Sequence, residues 1–148
     1  MREVPVDGFR AVIETSLTGY FLVAREVTPR MPAVGAGRIV SVPVSRSTRH
    51  RAGFVTHGPS RAGGEALSRI MAACLRGTDA TVNVPLPGGA TVTGMLPADA
   101  PEGHRFPEPS VRGPRSVWPA SDDADGVRGE RIVTTEFEGR FRERKDGS

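Results

Sequence analysis

Two side chains near the middle of the chain, His57 and Arg61, are the first candidates for chemistry. An unperturbed histidine has a pKa of about 6.5, so His57 could trade protons at neutral pH. Arg61 stays charged and cannot relay protons as a lysine could. The structural alternative is a half-buried histidine at a helix start beside a solvated arginine. Because His50 and His104 lack metal-ligand spacing to acids or to Cys74, we expect no metal site.

Both residues lie where a loop runs into a helix that ends near Gly77. Pro59 suits the first turn of this helix, where a missing N–H costs nothing. Apolar residues recur at helical spacing on one broad side, which predicts that this side is buried. The residues predicted to be buried are Ala66, Leu67, Ile70, Met71, Cys74 and Leu75, and those on the opposite side are Glu65, Ser68, Arg69 and Arg76.

An earlier helix is predicted over residues 7–31, with Asp7 as its N-cap. Its apolar stripe is long enough to pack against both a sheet and a neighbouring helix. The other predicted elements are buried strands at 38–42 and 81–84, a short helix at 114–120 and a last strand at 130–137. Helices and strands that alternate with short connections predict an α/β fold with right-handed crossovers.

The composition is that of one soluble globular domain of 148 residues. No apolar run is long enough for a membrane span, and no secretory signal is visible, so we expect a cytoplasmic protein. The net charge is +3, but the basic residues are interleaved with acids and no aromatic-studded basic groove is present. We therefore expect no nucleic-acid partner. Lys145 is the only lysine, a bias typical of a high-GC bacterial genome. Residues 94–114 predict a mobile loop and residues 140–148 a frayed tail.

Four segments, in order, resemble those of the short-chain dehydrogenase/reductase family. They are the helix from Asp7 to Phe21, the strand from Gly37 to Val42, the element from Thr81 to Gly88 and the stretch from Ser121 to Ile132. The resemblance implies a Rossmann-like, doubly wound parallel sheet of three layers and an oxidoreductase that uses NAD or NADP. It also implies a catalytic tetrad of Asn, Ser, Tyr and Lys.

Every position that corresponds to this tetrad is changed in the present chain. By resemblance, Ser16 stands for the asparagine, Val44 for the serine (with Ser45 one residue late), His57 for the tyrosine and Arg61 for the lysine. In the family, the tyrosine exchanges a proton with the substrate oxygen, the serine donates to that oxygen, and the lysine lowers the pKa of the tyrosine and binds the cofactor ribose. Losing one such donor typically costs about 10²–10³ in rate.

Three further positions, Pro87, Gly88 and Thr93, resemble residues that contact nicotinamide in the family. The alternative is that they only shape a turn. The glycine-rich turn that holds a pyrophosphate is missing from the sequence, and Gly35-Ala36-Gly37 does not replace it, because it precedes a strand. We therefore expect a single truncated domain over 1–148, corresponding to the C-terminal half of the fold, that binds no NAD or NADP alone.

Three functional hypotheses remain open at this point. The leading one is a truncated, catalytically inactive family member, either a gene remnant or a pseudoenzyme. The second is a part of an NAD(P)-dependent oxidoreductase acting on a carbonyl or hydroxyl substrate, completed by a separate N-terminal half. The third is a scaffold that dimerises through the helices at 7–31 and 55–76. We expect the chain to form a homo-oligomer or to aggregate, because these apolar stripes are wider than one contact would bury.

Overall fold

A computed structural model describes residues 3–86, 108, 110 and 113–133 of the chain. In chain order, the helices are α1 (Val6–Ile13), α2 (Gly19–Val27), α3 (Arg46–Arg49), α4 (His57–Cys74) and α5 (Gly113–Val117). The strands are β1 (Gly37–Val40), β2 (Ala80–Leu86) and β3 (Arg131–Val133). No helix in these described parts is long and apolar enough to cross a membrane.

The three strands form one parallel sheet in the order β1-β2-β3. Gly37 is paired with Ala80, and Val84 with Arg131. This sheet confirms the predicted α/β, Rossmann-like fold. β1 ends two residues before the predicted strand does, and β2 runs two residues beyond its prediction, up to Leu86. β2 is buried along its whole length, as a central strand of a parallel sheet requires.

The first predicted helix is divided into three parts. A π-helical segment, Glu14–Thr18, separates α1 from α2, and a 3₁₀ turn, Thr28–Arg30, follows α2. The prediction that Asp7 is the N-cap is wrong. Pro5 occupies that position, and Asp7 lies in the first turn, where it pairs with Arg10 at 3.2 Å. A carboxylate there interacts favourably with the helix dipole without capping it.

The predicted buried side of α4 is only partly right. As predicted, Met71 and Leu75 are buried; they pack in the core with Ala24, Ala80 and Val82. Leu67 is partly buried and packs against this core, but the remaining predicted core positions are wrong: Ile70 is 60% exposed, and Ala66 and Cys74 are exposed. Conversely, Ser68 is fully buried and Glu65 is 6% exposed, although both were placed on the opposite side.

Small residues explain this change of face, because α4 approaches the first helix through its glycines and serines. A Cβ atom on Gly63 would lie 2.8 Å from Leu17 Cδ2, too close for any other residue without a shift. One turn further along, Tyr20 Oη and Ser68 Oγ form a hydrogen bond at 2.9 Å. The close approach buries the polar side of α4 and leaves Ile70 outside.

The segment before β3 is fastened to the sheet by Asn83 and Arg38. Asn83 is fully buried, donates from Nδ2 to the Val127 carbonyl at 2.8 Å, and accepts from the Glu130 backbone N–H at 3.2 Å. Arg38 pairs with Asp122 at 3.2 Å and also with Asp125. The hydrogen bonds and charges of these aspartates raise the pKa of Arg38.

The short helix predicted at 114–120 is present as α5 and a 3₁₀ turn, Trp118–Ala120. The predicted loop at 94–114 lies almost entirely outside the described residues, apart from positions 108 and 110 and its last two residues, which begin α5. The predicted tail at 140–148 lies wholly outside them, as does the end of the predicted strand at 130–137.

Candidate functional site

A polar cavity of about 200 Å³ lies beyond the carboxyl end of β1, against the π-helical segment and the start of α4. In open α/β sheets, ligands bind at this edge, where the strands end. The cavity is lined by Ser16, Tyr20, Val40, Ser41, Val42, Pro43, Ser60, Arg61 and Gly64. Of the predicted site residues, the structure therefore brings Ser16 and Arg61 into one cavity.

Ser16 reaches the cavity from the π-helical segment. A π-helical turn adds a residue to the usual turn, and such turns occur frequently at functional sites. No periodicity in the sequence indicates this segment. The next turn supplies Tyr20, whose hydroxyl is already bonded to Ser68. The bond to Ser68 leaves Ser16 with the freer hydroxyl on this wall.

Arg61 lies in the second turn of α4 and points back toward the loop after β1. Its Nη1 donates to the Val42 carbonyl at 3.3 Å. Its Nε is buried and has no hydrogen-bond partner among the described residues. No carboxylate of the described chain pairs with Arg61, which makes it a cavity-lining charge without a counter-charge there.

His57 is the first residue of α4 and does not line the cavity. Its ring meets Phe54 edge to face, with the ring centroids 6.1 Å apart. Burial, and secondarily the charge of Arg61, lower the pKa of His57 below its ordinary value of 6.5. The imidazole is therefore neutral at pH 7, because both causes disfavour its charged form.

Val44 and Ser45, the two candidates for the serine position, do not line the cavity either. Val44 has no hydroxyl, and its carbonyl accepts from Arg131 Nη2 at 3.3 Å. Ser45 is the N-cap of α3, where its Oγ accepts from the Thr48 N–H at 3.0 Å. The same Oγ is bonded to the hydroxyls of Ser47 and Thr48, at 2.9 and 2.7 Å. The Ser45 hydroxyl is thus occupied by its own turn.

The remaining predicted positions, Pro87, Gly88 and Thr93, lie outside the described residues. Over the parts of the chain that the structure does describe, no group of three or more His, Cys, Asp or Glu side chains could hold a metal ion.

A buried charge cluster next to the site was missed by the sequence analysis. Glu65 accepts ion pairs from Arg49 at 2.8 Å and from Arg69 and Arg131 at 3.3 Å. These pairs join α3, α4 and β3. Burial lowers the pKa of Arg131, the charge of Glu65 raises it, and the surrounding arginines lower it. The only sequence signal was the spacing of Glu65 and Arg69, four residues apart on one helix.

Comparisons with known proteins agree with this geometry. The sequence profile of the short chain dehydrogenase family matches residues 1–102. NADPH-dependent aldehyde reductase 2 of Arabidopsis thaliana is 33% identical over 86 residues, which are 58% of this chain and 32% of that protein. Nodulation protein G of Azospirillum brasilense is 33% identical over 78 residues, 53% of this chain and 32% of that protein.

The fold is shared with solved structures as well. A short chain dehydrogenase from Salmonella enterica superimposes with a TM-score of 0.79 at 22% identity, over 90% of this chain and 56% of that one. The chain spans about a third of the length of the curated relatives that it matches. The profile match covers more than half of the chain, and the parallel sheet, the cavity at its edge and the order of elements agree with it. The chain belongs to the short chain dehydrogenase family.

Proposed function

We propose that this chain is a non-catalytic member of its family. The observation that carries the proposal is that neither residue at the family's serine position, Val44 or Ser45, offers a free hydroxyl. Val44 has no hydroxyl, and the hydroxyl of Ser45 is engaged with Thr48 and Ser47 as a helix cap. Among the described residues, neither candidate can donate a hydrogen bond to a substrate oxygen beside His57. A missing donor of this kind costs about 10²–10³ in rate.

The other tetrad positions support the same proposal. Arg61 replaces the family's lysine with a guanidinium, a group that does not relay protons in proteins. Its Nη1 donates to the Val42 carbonyl at 3.3 Å. His57 begins α4, where the helix dipole disfavours a positive charge, and it lies off the cavity wall.

The family resemblance implies NAD or NADP as the cofactor, and the described residues do not fit the family's way of holding it. Arg61 stands where the family's lysine binds the ribose, but its planar guanidinium does not replace the compact ammonium group of a lysine, and its Nη1 donates to the Val42 carbonyl. The proposed function therefore includes no reaction of a nicotinamide cofactor at this site.

The test is a restoration series in a chimera. The chain is fused behind the dinucleotide-binding N-terminal half of a catalytically active family member, and NADPH oxidation is followed with a panel of aldehydes. We expect no turnover from the native sequence, nor from His57→Tyr and Arg61→Lys alone. Activity should return only when Ser16→Asn and Val44→Ser are added, because tetrad residues act as a unit. Turnover by the chimera with the native residues would contradict the proposal.

A second candidate function is an NAD(P)-dependent oxidoreductase in which His57 accepts the proton of a hydroxyl substrate. One observation favours it: the lowered pKa keeps the imidazole neutral, and a neutral imidazole can act as a base. In that case, activity of the chimera in the oxidation direction would fall as the pH drops through the pKa of His57. His57→Gln would abolish this activity.

We also propose that the chain self-associates through its helices. Large apolar side chains are exposed on both helical elements; they are Phe9, Phe21, Leu22 and Val23 on the first and Ile70 on α4. Monomeric proteins rarely expose contiguous apolar patches larger than a few hundred Å², and larger patches mark interaction sites. Pairing of two copies would remove this surface from water.

A further inference from the structure

The cavity beside Arg61 carries a positive charge that the described protein does not neutralise. Three arginines whose side chains are less than 20% exposed have acidic partners: Arg38 has Asp122 and Asp125, and Arg49 and Arg131 have Glu65. Arg61 has only the Val42 carbonyl. Its buried Nε–H lacks an acceptor, as does one guanidinium nitrogen of each of Arg38, Arg49 and Arg131, but those three arginines pair with carboxylates and Arg61 does not.

The rest of the cavity wall offers hydroxyl donors rather than carboxylates. Ser16 and Ser41 line the cavity, and no described residue is hydrogen-bonded to either hydroxyl. The hydroxyl of Ser60 donates to the His57 carbonyl, and that of Tyr20 is bonded to Ser68, so these two are already used. A guanidinium and free hydroxyls around a partly open cavity of about 200 Å³ match the needs of a small oxyanion.

We propose that this cavity binds a small oxyanion, a carboxylate or a phosphate, between Arg61 and the hydroxyls of Ser16 and Ser41. To bind the anion, the Arg61 guanidinium would exchange its single bond to the Val42 carbonyl for the ligand, because planar guanidinium groups recognise such anions through paired N–H donors. The position near the start of α4 adds the positive end of the helix dipole. The inference rests on the proposed non-catalytic function, because the anion occupies space that the family's reaction would need.

The experiment titrates the full chain with acetate, phosphate or chloride at constant ionic strength, with calorimetry for binding and NMR of the histidine rings as a local probe. His57 is the reporter, because the charge of Arg61 helps to lower its pKa. An anion on Arg61 should therefore raise the pKa of His57. His50 is exposed and serves as the internal control. We expect saturable binding of acetate or phosphate with a dissociation constant of about 1 mM or lower.

Matched variants distinguish binding at this cavity from general electrostatic screening by the added salt. Arg61→Gln should weaken binding at least about tenfold, since a hydrogen bond to a charged group is lost with the charge. Arg76→Gln removes the same charge from an exposed position on the same segment and should bind as the native chain does. Ser41→Ala should weaken binding about threefold, and it provides a second readout should Arg61→Gln fail to fold.

Three outcomes would overturn the inference: no saturable binding of either oxyanion, an equal response to chloride, or native affinity in Arg61→Gln. Binding of only acetate or only phosphate supports it and narrows the ligand. The result is separable from that of the chimera assay. Missing anion binding without NADPH turnover refutes this inference alone, whereas turnover by the native residues refutes the proposed function.

Discussion

Replacement of Glu65 by Gln should destabilise the fold strongly, because this carboxylate is the counter-charge of three arginines. Glu65 is 6% exposed and contacts Arg49 at 2.8 Å and Arg69 and Arg131 at 3.3 Å. Removing one partner of a fully buried ion pair costs about 3–5 kcal/mol. Because Arg69 is half exposed and water reaches the rim of the cluster, we expect about 2–3 kcal/mol.

The assay is urea denaturation followed by circular dichroism, together with thermal melts. For a chain of this size, the expected loss corresponds to a melting temperature lower by about 4–12 °C. Glu26→Gln is the matched control, since Glu26 also contacts two arginines, both at 3.8 Å, but on the surface. Its effect should stay within about 0.5 kcal/mol.

A second substitution tests the stated cause. In the Glu65→Gln background, Arg49→Gln removes one of the charges left without a partner and should restore part of the lost free energy of unfolding. The reasoning is refuted if Glu65→Gln costs no more than Glu26→Gln, or if Arg49→Gln adds its full effect to the first substitution.

Three further predictions follow from the fold. Because the pKa of His57 is lowered in the folded chain, the unfolded chain binds this proton at a higher pH than the folded chain does. The free energy of unfolding should therefore fall as the pH drops below 6.5, and it should fall less in His57→Gln. Urea curves with the same pH dependence for the two proteins would contradict this. Asn83→Ala leaves the Val127 carbonyl and the Glu130 N–H without their partner and should cost about 2–4 kcal/mol in the same assay. Light scattering should show self-association that Ile70→Glu reduces, whereas a native chain that is monomeric at all concentrations would argue against helix pairing.

The fold could be predicted from the sequence because its elements have strong and separate signals. Compact apolar runs predict β1 and β2, and a long stretch of apolar residues at helical spacing predicts α4 between them. This pattern is typical of a parallel α/β unit, and the structure has the three elements in this order. The ends of the helices and strands are less predictable. Asp7 looked like an N-cap because its side chain can accept from the backbone, but Pro5 lies at the cap, and a first-turn carboxylate has the same sequence signature.

The orientation of α4 could not be predicted from hydrophobicity. A hydrophobic pattern shows which residues are apolar, but it does not show which side a neighbouring helix can approach most closely. Gly63 permits that approach, and so the buried side carries Ser68 and Glu65 while Ile70 is exposed. The burial of Glu65 is not predictable from the sequence, because two of its three arginines, Arg49 and Arg131, come from other segments of the chain.

The sequence predicts which residues correspond to the family's site, but it does not predict how they are arranged in space. The resemblance located Ser16, Val44, His57 and Arg61, but only the structure shows that Ser16 and Arg61 share a cavity from which the other two are absent. The difference arises from two local features without a clear sequence signal, the π-helical segment that carries Ser16 and the cap formed by Ser45.

In a non-catalytic family member, His57 transfers no proton. The most direct measurement compares NADPH oxidation by the chimera carrying native residues with that by its His57→Gln variant, over a range of pH and at saturating aldehyde. The account predicts that both rates equal the background without protein at every pH. A rate above background that depends on pH and disappears in His57→Gln would contradict it.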